Sequence, residues 1–339
     1  MCCLFGIFNY SGKADKELNY LINCLAREAT ARGTDSTGIA YNKDGKLKIY
    51  KKPLSAFDMN FDGIENCISI SGHTRHATQG SEQKNYNNHP FMGYCDNVKF
   101  ALSHNGILWN DALLRKNFGI EKNKIDTDSY IAVQLLEHFG TLNFANIKTM
   151  AESVKGSFAF TMTDTLDNLW LVKGDSPLSI IHFPDLKMYV YASTENILFA
   201  ALSKTDFLSE IISGDYEIIN IKQGDIFKID KSGNISQSTF DFDCYDDFGY
   251  YDWRTYGTHN KNNMVSEFDD DNDTYDYDKH DITDIIANFN DEQLQYYFDL
   301  KMIANYYGID EDYVDMLLCE GFSLDDIEMW LYDEYDLVG

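Results

Sequence analysis

A cysteine stands directly after the first methionine, in the run Met1-Cys2-Cys3-Leu4-Phe5-Gly6-Ile7-Phe8. Once that methionine is cut off, Cys2 carries a nucleophile and a base on one residue. Its thiol attacks as thiolate, and its free α-amine, with a pKa of about 8, takes and returns a proton. Many chains begin in this way. The pair gains weight here because side chains suited to binding and cleaving an amide recur further along.

Four segments supply them. Residues 72 to 80 contain His73-Thr74-Arg75-His76-Ala77-Thr78-Gln79-Gly80, residues 103 to 107 read Ser103-His104-Asn105-Gly106-Ile107, and Asp126-Thr127-Asp128-Ser129 lies downstream. Arg32-Gly33-Thr34-Asp35-Ser36-Thr37-Gly38 follows the first helical segment. Arginine offers a planar fork of donors to a carboxylate, a carboxylate attracts an ammonium, and an amide N–H beside a glycine N–H suits a developing oxyanion.

In this order the segments resemble the class II glutamine amidotransferase domain, an N-terminal-nucleophile hydrolase also carried by glucosamine-6-phosphate synthase and amidophosphoribosyltransferase. The resemblance runs from Cys2 to about residue 235. It implies Cys2 as nucleophile, Asn105 and Gly106 as the oxyanion hole, Arg75 as the clamp for the glutamine α-carboxylate and Asp128 as the partner of its α-ammonium. Thr78 would line the pocket. The implied reaction passes through a γ-glutamyl thioester, releases ammonia and glutamate, and uses no cofactor or metal. The implied fold is α+β, a four-layer αββα sandwich.

Each residue also has a plainer reading. Arg75 could be an ion-pair partner, Asn105-Gly106 is a strong hairpin dipeptide, and Thr127 or Asp128 could cap the next helix. Arg32 and Asp35 read as structural supports behind the nucleophile. His73, His89 and His104 invite a zinc site, but their spacing lacks the usual paired-ligand pattern. The chain departs from the family pattern at Cys3 (usually Gly), His76 (often Trp) and Gln79 (often His). These changes bear on the pocket lid and on what surrounds the amide. They leave open an amidohydrolase acting on a γ-glutamyl amide in a larger molecule, and a non-catalytic binding module.

The elements that would position these groups follow from periodicity. Strands are expected at 4–8, 68–72 and 98–103, the last two delivering Arg75 and Asn105. A helix is expected over about 14–31, with Leu18, Leu21, Ile22, Leu25, Ala26 and Ala29 on one face. Gly38–Tyr41 and Leu47–Lys51 read as a hairpin around Asp44-Gly45. Helices are expected at 128–139, 143–154 and 195–203, and strands at 157–163, 169–173, 178–183, 188–192, 216–221 and 225–230. The polar stretch 81–97 reads as an irregular, mobile cover over the pocket.

Three regions result: an amidotransferase domain over 2–238, an acidic linker over 239–280 and a helical module over 281–339. Eleven Asp fall between 241 and 278 against Arg254 and Lys261. Asp269–Asp273 fails the calcium-loop pattern, with Thr274 at the sixth place and His280 at the twelfth. The last region reads as three helices, with Ser323 and Asp326 as a capping box for the third.

With 28 Lys and Arg against 55 Asp and Glu, the net charge of −27 disfavours nucleic-acid binding. Seven scattered cysteines suggest no disulfide framework and point to a reducing, cytoplasmic setting. Neither a secretory signal nor a run of 18 apolar residues is present, so no membrane span is expected. The expected small-molecule partner is glutamine. The final hundred residues look too small and acidic to use the ammonia, so the acceptor is expected to be a separate enzyme.

Overall fold

The computed structural model describes residues 2–14, 16–43, 45–77, 79–96 and 98–242, and beyond them 282, 285–286, 288–306, 312–319, 322–324 and 326–328. The chain forms two compact units, Met1–Trp253 and Arg254–Gly339.

The first unit holds two antiparallel sheets. One has β1 (Cys3–Asn9) and β4 (Ser69–Arg75) at its centre. On the β4 side follow β2 (Ser36–Lys43) and β3 (Lys46–Lys52). On the β1 side follow β10 (Met188–Ala192), β9 (Ser179–Phe183) and β11 (Glu217–Ile219). The other sheet runs β13 (Ile235–Thr239), β12 (Asp225–Ile229), β8 (Leu169–Lys173), β7 (Gly156–Asp164), β6 (Val98–Leu108), β5 (Phe91–Cys95).

Three apolar clusters give the layers. Leu18, Leu21, Ile22 and Leu25 of α1 (Glu17–Glu28) and Leu198 and Leu202 of α5 (Glu195–Leu202) pack on Phe5, Ile7 and Val190 of the first sheet. Ile131, Leu135 and Leu136 of α3 (Tyr130–Phe139) and Ile147 and Met150 of α4 (Phe144–Ser153) pack on Phe100, Phe160 and Val172 of the second. Between the sheets, Leu4, Phe8 and Tyr191 meet Ala159, Leu171 and Phe227. Alternation along β1 explains the division, since successive side chains point to opposite faces. Phe5 and Ile7 turn to the helices, Leu4 and Phe8 to the facing sheet. The result is the αββα sandwich.

Several local expectations need revision. Strand β6 continues to Leu108, so Asn105-Gly106 lies in a ladder opposite Ala159 and Phe158, not in a hairpin turn. Pairing along β7 overrides the dipeptide's turn preference. Gly106 adopts φ +133°, and a Cβ there would overlap the Ser157 carbonyl oxygen. Strand β4 likewise runs through Arg75 instead of ending at residue 72. The stretch 81–97 is more ordered than its composition suggests: Asn87, Asn88 and His89 are buried and Phe91–Cys95 form β5. Helices α2 (Asp111–Phe118) and α6 (Leu208–Ser213) and strand β13 were not expected. Past β13, Phe240 stacks on Phe158 and Phe242 meets it edge-on, with ring centroids at 5.8 and 5.3 Å.

The second unit contains α7 (Asp291–Tyr306) and α8 (Asp312–Cys319). Leu300, Ala304, Val314, Leu317, Leu324 and Ile327 form its core. Asn290 and Gln293 cap α7 reciprocally, and Ser323 and Asp326 do the same for the segment holding Ile327. The acidic stretch from 243 to 281, with Trp253, lies outside the described residues.

His73, His89 and His104, scattered in sequence, meet inside the first unit. The His73 and His89 rings lie 4.2 Å apart, His89 and His104 6.5 Å. His73 Nε2 bonds the His104 carbonyl at 2.9 Å, while neither ring nitrogen of His89 has a hydrogen-bond partner. Among the described residues no group of three or more His, Cys, Asp or Glu is arranged to hold a metal ion. Burial lowers His73 to about 3 and His89 well below 6.5. The folded chain therefore keeps these rings neutral where an unfolded chain protonates them. Their contribution to stability is complete above about 6.5 and is lost as pH falls toward 3. His89→Phe, which removes one such group, should reduce the loss of unfolding free energy between pH 6.5 and pH 4.5 by up to about 1.4 kcal/mol per pH unit, measured by urea denaturation. An unchanged slope would show that His89 is not protonated on unfolding.

Candidate functional site

Strand β1 places Cys2 at the end of a central strand, where Cys3 pairs opposite Thr74. The Cys2 thiol is half-buried and donates toward the His76 carbonyl at 3.5 Å. Burial pushes this thiol up from its ordinary value, while a backbone hydrogen bond at His76 and the Arg75 guanidinium pull the other way. Such a thiol is protonated at neutral pH and needs a base to become a nucleophile. Arg32 Nε holds the Cys2 carbonyl at 3.0 Å. Asp35 accepts the Ala77 N–H at 2.7 Å and donates its own N–H to the Arg75 carbonyl at 2.9 Å. Gly33 lies so close to the Arg75 backbone that a Cβ would come within 2.6 Å of it. Arg32 and Asp35 thus brace the chain around Cys2 and the turn after β4.

Arg75 is buried at the end of β4. Its guanidinium donates to Asn88 Oδ1 at 3.0 Å, the Gln79 carbonyl at 2.5 Å and the Gly80 carbonyl at 2.7 Å. Asn88 is itself held through its side-chain amide, which donates to the Glu82 carbonyl at 2.7 Å. Lys51 Nζ donates to the carbonyls of Asn88 and Pro90. Burial, helped by the nearby Arg75 charge, brings Lys51 down to about 8. The cover segment is therefore tied to the sheet by two cations.

Asp128 sits before α3 but caps nothing: Ser129 is the N-cap residue and makes no side-chain cap bond. The Asp128 carboxylate accepts the Leu108 N–H at 2.6 Å and the Ser129 hydroxyl at 3.2 Å. Its backbone N–H donates to Gln79 Oε1 at 3.2 Å. Gln79 thus joins the Arg75 side of the site, through its carbonyl, to the Asp128 side, through its side chain. Asn105 projects from β6 between the sheets, buried, and its amide donates to Ser193 Oγ at 3.3 Å.

Cys2, Arg75, Asn105, Gly106 and Asp128 converge at one end of the sandwich. Arg75 and Asp128 both act on the Cys2 thiol electrostatically, and β6 bears Asn105, Gly106 and the Leu108 N–H that holds Asp128. Thr78 lies outside the described residues. Asn88, Lys51 and Ser193 escape the sequence reading: each is a common polar residue with no motif around it, and only the fold brings it to the site. Gln79 was visible only as a departure from the family pattern.

A family model described as a glutamine amidotransferase domain matches residues 73–202. The chain is 27% identical over 205 residues to 7-cyano-7-deazaguanine synthase of Saccharolobus solfataricus, covering 58% of this chain and 43% of that protein. It is 32% identical over 187 residues to the isomerizing glutamine–fructose-6-phosphate aminotransferase of Fusobacterium nucleatum, covering 52% and 30%. The chain thus spans less than half the length of these relatives. The glutamine phosphoribosylpyrophosphate amidotransferase of B. subtilis, in complex with ADP and GMP, shares the fold with a TM-score of 0.55 at 22% identity, over 71% of this chain and 50% of that one. The first unit is thus similar to glutamine amidotransferase domains over residues 73–202 and shares its fold with an amidotransferase over 71% of the chain.

Proposed function

We propose that this chain hydrolyses the side-chain amide of free glutamine through Cys2 and delivers the ammonia to an acceptor enzyme on another chain, in a reducing, cytoplasmic compartment. The observation that carries the reading is the meeting of a thiol with a cation, a carboxylate and an amide donor at one end of two stacked sheets. The cysteines among the described residues are all free, and no helix there is long and apolar enough to cross a membrane.

With Met1 removed, the α-amine of Cys2 takes the thiol proton and Sγ bonds to the glutamine Cδ. The carbonyl π pair moves to oxygen, where Asn105 and the Gly106 N–H receive it. Collapse breaks the C–N bond, and the amine's proton leaves on the ammonia. Water then adds to the thioester, the C–S bond breaks, and glutamate departs with the thiol restored. Arg75 reads the α-carboxylate and Asp128 the α-ammonium. A substrate carboxylate reaching Arg75 would compete with the carbonyls of Gln79 and Gly80 for its donors, coupling occupancy to the turn after β4.

The relatives' names include an aminotransferase that takes nitrogen from glutamine, which supports glutamine as the donor here. Gln79 and His76 also allow a γ-glutamyl amide as substrate. Steady-state comparison of glutamine with γ-glutamyl amides separates the two: a higher kcat/KM for the larger amide would replace the leading reading.

Cys2→Ala should abolish glutamine hydrolysis while leaving the fold intact, and residual turnover at the wild-type rate would remove Cys2 from the mechanism. Because burial keeps the thiol protonated, kcat/KM should rise with pH as the α-amine loses its proton near pH 8. A profile flat from pH 6 to 9 would exclude the amine as base. Arg75→Ala should raise KM about 10–150-fold, the equivalent of one to two charge-assisted hydrogen bonds. An unchanged KM would contradict the clamp.

A further inference from the structure

We infer that Ser193 is a positioning residue for the oxyanion hole, joining the nucleophile's strand in one sheet to the Asn105 amide in the other. The inference rests on the proposed glutamine hydrolysis and adds a residue to it.

Ser193 follows directly on β10 and is fully buried. Its Oγ accepts two N–H groups: the Leu4 backbone N–H at 2.9 Å and an Asn105 amide hydrogen at 3.3 Å. Its own N–H donates to the Leu4 carbonyl at 2.9 Å, so Ser193 and Leu4 exchange bonds in both directions. Leu4 stands two residues from the nucleophile. The hydroxyl therefore sets one fixed distance between β1, which carries Cys2, and the β6 side chain expected to meet the oxyanion.

The chemistry of a carboxamide explains the need. Asn105 Nδ2 has two hydrogens in the amide plane, and a buried amide with neither fixed can rotate about its terminal torsion. Giving one hydrogen to Ser193 Oγ fixes that plane and leaves the second to point where a reacting carbonyl oxygen arrives. Stabilisation by such a donor depends on its being oriented before charge develops. The Cys3 thiol donates to the Leu4 carbonyl at 3.3 Å, so the same Leu4 oxygen is engaged by Ser193 and by Cys3.

The test uses the full-length chain with its amino terminus free. Ser193→Ala retains the bond from the N–H of residue 193 to the Leu4 carbonyl and removes the oxygen shared by the Leu4 N–H and the Asn105 amide. The expected result is a fall in kcat of about 10–30-fold, less than the roughly 100–1000-fold of losing an oxyanion donor itself, with KM within 2–3-fold of wild type. Inactivation by the diazo-ketone analogue of glutamine, whose carbonyl enters the same hole, should slow by a similar factor. Alkylation of Cys2 by iodoacetamide, which develops no oxyanion, should stay within about 2-fold. In an Asn105→Ala background, adding Ser193→Ala should cost no further activity, because the serine acts through the asparagine. Wild-type kcat in a folded Ser193→Ala chain, or losses that multiply in the double variant, would overturn the inference. An equal loss of iodoacetamide reactivity would also overturn it, in favour of a general structural role. If Ser193→Ala fails to fold, Ser193→Cys keeps an acceptor of similar size and weaker strength, with an expected loss of about 3–10-fold. Unchanged activity in that variant would count against the inference. A wild-type chain that does not hydrolyse glutamine would instead defeat the proposed function itself.

Discussion

The separation and register of two facing sheets govern everything at the candidate site. Cys2 belongs to the first sheet and Asn105 and Gly106 to the second, so no single strand or loop can set their distance. Register within each sheet is fixed by side-chain alternation, since slipping β1 by one residue would turn Leu4 and Phe8 out of the inter-sheet layer and Phe5 into it. Register between the sheets has no ladder to fix it. It depends on side chains that cross the gap: Leu4, Phe8 and Tyr191 packing on Ala159 and Leu171, and hydroxyl contacts such as Thr163 to Ser69 at 2.7 Å.

That layer also holds polar side chains along its length toward the candidate site. Ser71 and Tyr191 share a 2.5 Å hydrogen bond, and His73, Ser103, Asn105 and Thr161 are all buried there. Apolar contact tolerates small slides, whereas a buried hydrogen bond is lost over a few tenths of an ångström and leaves a costly unpaired group. A polar layer therefore trades some hydrophobic stabilisation for a sharper position. The unpartnered nitrogens of His89 and His73, with the hydroxyls of Ser103 and Thr161, show that this trade is incomplete.

The sequence was most legible where one side chain does one job. Cys2, Arg75, Asn105, Gly106 and Asp128 could be singled out as candidates by residue type and order, and the fold brings them to one end of the sandwich. The helices α1, α3 and α4 were legible because each buries one continuous face, and the strands β7, β8 and β10 because nearly every position in them is buried. It failed where tertiary pairing overruled local preference. Asn105-Gly106 is a turn dipeptide in isolation, yet β7 supplies partners on one side and the missing Cβ lets Ser157 approach. Strand β5, with Gly93 at its centre, gave too short a signal among asparagines. Asp128 looked like a helix cap because the residue type and position fit; its carboxylate is instead spent on the Leu108 N–H. Ser193, Asn88 and Lys51 left no trace, since nothing local distinguishes a serine that meets Asn105 from any other.

The arrangement around Arg75 follows from the cost of burying charge. A guanidinium this deep cannot be left without acceptors. Asn88, Gln79 and Gly80 supply them. The same bonds hold the turn that bears Gln79 against Asp128. Lys51 adds a second cation that pins Asn88 by its carbonyl. A ligand carboxylate would therefore find an arginine already oriented by Asn88, with neutral carbonyls to displace and a stronger, charged acceptor to offer in exchange. These bonds tie the arginine, the cover segment and Asp128 into one unit, so a change in any of them should be felt by the others.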